Sequence, residues 1–110
     1  MGRFALVAGL LASAAGAQDW RPLVGEEIAA FLTDREVGYD RAWQRFFASG
    51  RTLYNAGQVS WGYWQVRGDR YCSQWPPSRL WDCYLVQRQG TDGVRFVGPD
   101  GSATTGTRRP

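Results

Sequence analysis

Two cysteines are the residues of this chain whose type and spacing point most directly to a chemistry. Ten residues separate Cys72 from Cys83, a spacing unlike the Cys-x-x-Cys of a thiol-redox centre. An even count with no leftover thiol suits one structural disulfide. Histidine is absent, which removes Ser-His and Cys-His nucleophile pairs, a neutral-pH imidazole acid or base, and histidine zinc sites. A metal would have to be held by carboxylates and carbonyls, and no EF-hand-like spacing of those occurs. No metal and no cofactor is implied. Glycoside hydrolysis needs two carboxylates about 5–10 Å apart across a cleft. Here Glu26 and Glu27 adjoin, Asp69 falls in a turn, and Asp82, beside Cys83, is the one acid placed mid-strand. No residue is assigned as catalytic, and an enzyme of unknown type stands third among the functional readings. Arg67-Gly68-Asp69 spells an adhesion tripeptide, but a hairpin turn explains Gly-Asp by itself.

The remaining candidates bind rather than react. The chain holds six tryptophans and five tyrosines, each large ring able to bury on the order of 150–250 Å². All thirteen basic residues are arginine, against ten acids. They are scattered, with only Arg108-Arg109 adjacent, so no basic stripe marks a nucleic-acid surface. Rings and guanidinium groups together could stack on sugars and reach carboxylates or phosphates. Trp61, Tyr63, Trp81, Arg67 and Arg70 form the candidate ligand surface on that chemistry.

Several elements must position these residues. Residues 1–17, MGRFALVAGLLASAAGA, have the layout of a secretory signal: one arginine, a short apolar run, and Ala15-Gly16-Ala17 as cleavage site. The run is shorter than the roughly 20 residues of a spanning helix, so no membrane span is expected after its removal. Removal of 17 residues from 110 leaves 93, one small domain in an oxidising compartment that favours the disulfide. A short helix is predicted from Gly25, with Val24, Ile28, Phe31 and Leu32 on one face and an end near Thr33-Asp34. Glu26 and Glu27 suit the positive end of its dipole, and Gly25 is an acceptable N-cap.

Beyond the helix, the chain is predicted to form hairpins. Trp43 to Ala48 and Arg51 to Ala56 flank Ser49-Gly50. Val59 to Arg67 is the longest strand, with Trp64 and Val66 on one side and Trp61, Tyr63 and Arg67 on the other. Gly68-Asp69 suits a type II′ turn. Pairing Arg67 with Arg70 places Gln65 opposite Cys72. A loop at Pro76-Pro77-Ser78-Arg79 then brings Gln74 opposite Trp81 and Cys72 opposite Cys83. Turn chemistry alone thus sets the two cysteines face to face. Trp64, Val66, Tyr71 and Trp75 share the core face. Val94 to Val97 is predicted as the last strand, with residues 98–110 as a flexible C-terminal tail.

The block from Ser60 to Tyr84 resembles a group of small exported alphaproteobacterial proteins of unassigned function. Their pattern is G-x-W-x-V-x-G-D-x-Y-C-x-x-W, with a second cysteine further along. Gly62, Trp64, Val66, Gly68-Asp69, Tyr71-Cys72, Trp75 and Cys83 match it here, with Leu32-Thr33, Arg35, Gly50, Val86, Phe96 and Asp100-Gly101 outside the block. The resemblance attaches no catalytic or ligand role to these positions. Some of the group carry a dihydrodipicolinate reductase label. This chain lacks the G-x-G-x-x-G, the βαβ length and the histidine that would support it.

The expectation is an α+β domain over residues 18–97, a short N-terminal helix packed on a five- to six-stranded antiparallel meander curled like a partial barrel, with one disulfide. It is expected to be periplasmic or secreted and monomeric or weakly associating. The leading function is a non-catalytic binding or interaction module whose partner is an envelope glycan or another periplasmic protein, with no nucleic acid. A lipocalin-like carrier of a small apolar ligand is the alternative. A pocket lined by aromatic rings would favour the carrier, and a flat Trp/Tyr/Arg strip the module.

Overall fold

The computed structural model describes residues 19–110, so the signal segment over 1–17 lies outside the described residues. Helix α1 spans Gly25–Leu32 and buries Ile28, Phe31 and Leu32, as the apolar spacing requires. Its N-cap is Val24 rather than Gly25. Two carboxylates satisfy its first amides: Glu27 accepts from the Val24 N–H at 2.9 Å and Asp69 from the Gly25 N–H at 2.8 Å. The helix start is therefore tied to the Gly68-Asp69 turn far along the chain.

Strands run β1 Arg21–Pro22, β2 Arg35–Gly38, β3 Trp43–Phe46, β4 Arg51–Asn55 and β5 Val59–Arg67. β6 covers Arg70–Gln74, β7 Trp81–Gln89, β8 Gly93–Val97 and β9 Ala103–Arg109. From β2 to β9 each strand pairs antiparallel with the next. β9 then returns to β2, pairing Glu36 with Arg109 and Gly38 with Thr107. The result is a closed eight-stranded barrel, with β1 as a short addition along β7. This corrects the expected partial meander of five or six strands.

The correction rests chiefly on β9, which occupies the stretch read as a flexible tail. Gly98-Pro99-Asp100-Gly101-Ser102 is a hairpin turn: the Gly98 N–H donates to the Ser102 carbonyl at 2.9 Å, and Gly101 takes φ +86°. Asp100 Oδ1 accepts from both the N–H and the hydroxyl of Ser102. Few apolar residues are needed beyond that turn, because β9 is held by ladders to two neighbours. Gly106 allows the close approach at the seam; a Cβ there would meet Val37 Cγ1 at 2.7 Å. Glu36 stitches it from outside, binding Arg109 of β9 at 3.0 Å and Arg45 of β3 at 3.7 Å.

Closure gives the barrel two unlike ends. α1 packs against β2, β5 and β6. Ile28, Phe31 and Leu32 join Phe46, Val86 and Val94 in one buried cluster, so the helix plugs its own end of the barrel. Arg108 locks the plug, binding Asp92 at 3.1 Å and donating to the Phe31 carbonyl at 3.3 Å, with its guanidinium 4.2 Å from the centre of that ring. The far end, bounded by the loops after β2, β4, β6 and β8, has no such cover among the described residues. Outward positions on the strands carry Arg45, Arg51 and Arg95, unlike the apolar band of a membrane-spanning barrel. No helix among the described residues is long and apolar enough to cross a membrane.

The hairpin arithmetic holds through β5, β6 and β7. Arg67 pairs with Arg70, Gln65 with Cys72, Cys72 with Cys83 and Gln74 with Trp81. Cys72 and Cys83 are bonded, and Gly68 has the positive φ, +58°, that a II′ turn needs at its first central residue.

Candidate functional site

Strand alternation sends every second side chain into the barrel, and beyond Phe46 the lining changes from aliphatic to aromatic and polar. Gln44 of β3 is buried at the centre. Its amide donates to Thr52 Oγ1 and to the Tyr71 hydroxyl, both at 3.0 Å, and its carbonyl accepts from the Tyr39 hydroxyl at 2.9 Å. The Thr52 hydroxyl in turn donates to the Arg45 carbonyl at 2.8 Å. The network uses the donors and acceptors that Gln44 would otherwise bury unpaired, an omission that costs about 1–3 kcal/mol per group.

Above this floor opens a cavity of about 510 Å³. Tyr54, Trp75, Tyr84 and Phe96 form its walls with Tyr39, and Ser60, Pro76 and Thr104 border the mouth. The rings meet at angles: Tyr54 lies 67° from Trp75 at 6.0 Å, and Tyr39 lies 51° from Tyr54 at 6.4 Å. Trp75 is held by its indole N–H, which donates to Ser73 Oγ at 3.2 Å. It also depends on Gly62, where a Cβ would come within 2.5 Å of the indole.

Burial keeps the floor protonated. Tyr71 is pushed up to about 12 by loss of solvent, with its hydrogen bonds to Ser73 and Gln44 opposing the rise. Tyr39 is raised further, by burial and then by the neighbouring Tyr71, Tyr54 and Tyr84. Tyr84, nearer the mouth, is raised by burial and by the charge of Asp82.

Of the residues singled out in the sequence, Trp61 of β5 borders the cavity beside Ser60, and Tyr63, Arg67, Arg70 and Trp81 do not line it. Trp61 and Tyr63 are each 46% exposed on the outer face of β5. Arg67 and Arg70 are exposed at the helix end of the same hairpin, and Trp81 is half-buried on β7. The strip is not a bare aromatic platform. Arg67 lies 4.8 Å from the Trp81 ring centre, Arg51 lies 4.1 Å from that of Trp61, and Phe47 flanks Trp61 at 5.8 Å. Trp61 therefore pairs with β4 and the β3–β4 turn, and Arg67 with Trp81. The disulfide lies on this outer wall, with Cys72 buried beneath its neighbours.

The cavity residues escape sequence reasoning because their grouping depends on closure. Tyr39 lies just past β2 and Phe96 on β8, far apart in the sequence, yet their rings are 6.4 Å apart. A partial signal lies in the Thr52/Tyr54 and Tyr71/Ser73 alternation, which places each pair on the face of Trp64. Among the described residues no group of three or more cysteine, aspartate or glutamate side chains could hold a metal ion. Searches for a matching family model, a curated relative and a similar solved structure each find nothing that matches the chain.

Proposed function

We propose that this chain is an exported, non-catalytic binding protein that carries one small, largely apolar ligand in the aromatic cup of its barrel. The observation that carries the reading is the cup: about 510 Å³, walled by aromatic rings, floored by a satisfied polar network, and plugged by a helix at the other end. Eight-stranded barrels are just wide enough for one small ligand, and pockets of about 300–1,000 Å³ suit ligands of drug size. The polar atoms of the floor are already bonded to one another, which favours shape and ring contact over hydrogen-bond recognition. Export rests on the signal segment, and the disulfide fits such a compartment.

A surface module for envelope glycans is the second reading, favoured by the exposure of Trp61 and Tyr63 on the strand that ends at Arg67. It is weakened because Trp61 and Trp81 already stack with the chain's own arginines. One titration separates the two. The neutral probe N-phenyl-1-naphthylamine should bind saturably, one per chain, with a rise in its fluorescence. Thr104→Trp, an exposed change at the mouth, should block it, and a Tyr63→Ala, Trp81→Ala double variant, which touches no cavity-lining residue, should not. Loss of binding in the double variant with retention in Thr104→Trp would move the site to the outer strip. Absence of any probe binding would overturn the carrier.

A further inference from the structure

We infer that the cup selects organic cations: an alkylated ammonium group carried on an apolar body, held among the ring faces of Tyr39, Tyr54, Trp75 and Tyr84. This rests on the carrier reading and adds the ligand's charge. The first support is geometric. Aromatic faces carry negative electrostatic potential, and rings meeting at steep angles around one space form the cage that quaternary ammonium groups favour. Tyr54 and Trp75 are near-perpendicular, Tyr39 and Phe96 meet at 55°, and the cavity lies between them.

The second support is where the protein's own cations are. Elsewhere in the molecule arginines lie over aromatic rings: Arg51 over Trp61, Arg67 over Trp81, Arg95 over Trp20, and both Arg88 and Arg108 over Phe31. The cavity lining contains no arginine, and apart from Trp61, which Arg51 covers, its rings have no arginine over them and remain for a cation from outside. An anionic ligand would enter with no counter-charge in the lining, and the floor hydroxyls stay neutral at ordinary pH.

The third support is Asp82. It pairs with Ser73 across the β6–β7 ladder, alternates in step with Tyr84 and Val86, and is exposed, while its charge acts on Tyr84 of the lining. The rim loops carry both signs, Asp40 and Asp100 together with Arg41 and Arg79. Asp82 is thus the acid carried by a wall strand, two residues from Tyr84 of the lining. A quaternary ammonium needs no hydrogen-bond partner, which suits a cup where the Tyr39 and Tyr71 hydroxyls are already bonded to Gln44.

Competition against bound N-phenyl-1-naphthylamine tests this with isosteres. Benzyltrimethylammonium and neopentylbenzene share one shape and differ by the charge, and phenylmethanesulfonate reverses it. The ammonium should displace the probe at about a tenfold lower concentration than its carbon isostere, the scale of a desolvated cation–π site. The sulfonate should be the weakest. Asp82→Asn, an exposed change, should weaken the ammonium about threefold, as expected for one solvated charge near the lining, and leave neopentylbenzene unmoved. Trp75→Leu should narrow the gap between the two isosteres. Equal or tighter binding of neopentylbenzene would overturn the charge preference while leaving the carrier intact. If N-phenyl-1-naphthylamine itself fails to bind, both fall together.

Discussion

Single residues divide here into those that hold the cup and those that decorate the wall. Gln44 belongs to the first group, with three of its hydrogen bonds inside the barrel. Gln44→Leu keeps the volume but strands the Tyr39 and Tyr71 hydroxyls. It should cost about 2 kcal/mol and lower Tm by about 10 °C, measured by thermal denaturation. Arg108 is comparable at the other end, where its side chain is only 12% exposed and joins Asp92 to the helix. By contrast the Arg21–Glu27 pair, at 4.0 Å with both side chains about half exposed, should contribute at most about 0.5 kcal/mol. Arg21→Ala should leave Tm nearly unchanged.

Among the elements, β9 decides whether the molecule is a barrel or an open sheet. Its seven residues pair with both β2 and β8, and their removal would bare two strand edges at once. A chain ending at Gly98 should lose its cooperative thermal transition or associate, seen by circular dichroism and size-exclusion chromatography. Native-like melting of that truncation would return residues 98–110 to the status of a tail. The β6–β7 hairpin carries the disulfide, which closes a loop between residues 11 apart. In the chain-entropy model that constraint stabilises the fold by about 3 kcal/mol. Cys72→Ser with Cys83→Ser should lower Tm by more than 10 °C on the scale of about 4–8 °C per kcal/mol, with the barrel otherwise retained. Two reactive thiols in the native, oxidised protein would contradict the pairing.

At the level of the whole molecule the buried tyrosines set an alkaline limit. The folded state holds the Tyr71 proton up to about 12, against 10.0 for an unburied tyrosine. Tyr39 shifts in the same direction. Above pH 10 the unfolded chain sheds protons that the folded chain retains, so stability is full below pH 10 and falls as pH rises towards 12. Each such tyrosine contributes a slope of about 1.4 kcal/mol per pH unit in that window. The sequence has no lysine and the structure no free thiol, so the tyrosines dominate side-chain titration there. Denaturant midpoints measured from pH 8 to 11.5 should be flat at first and then decline. A flat profile throughout would mean that the Gln44 floor is wet.

Local chemistry alone determined the helix over Gly25–Leu32, the strand over Val59–Arg67, and the register that sets Cys72 opposite Cys83. Each depends on residues near in sequence: apolar spacing, a Gly-Asp turn, and a two-proline loop of countable length. The Pro-Asp-Gly turn at 99–101 was equally legible, and with the threonine-rich stretch after it could have revealed β9. Low apolar content argued the other way, since a strand that borrows its stability from two neighbours needs little of its own. Only the tertiary structure decided that the sheet closes, because the pairing of Glu36 with Arg109 spans nearly the whole described chain and no local signal encodes it. Closure then reassigned the faces. Trp64 and Tyr71 faced inward as expected, but their cover was the barrel itself, and the helix was left to plug an end. That one long-range pairing turned an aromatic face into the lining of a cup.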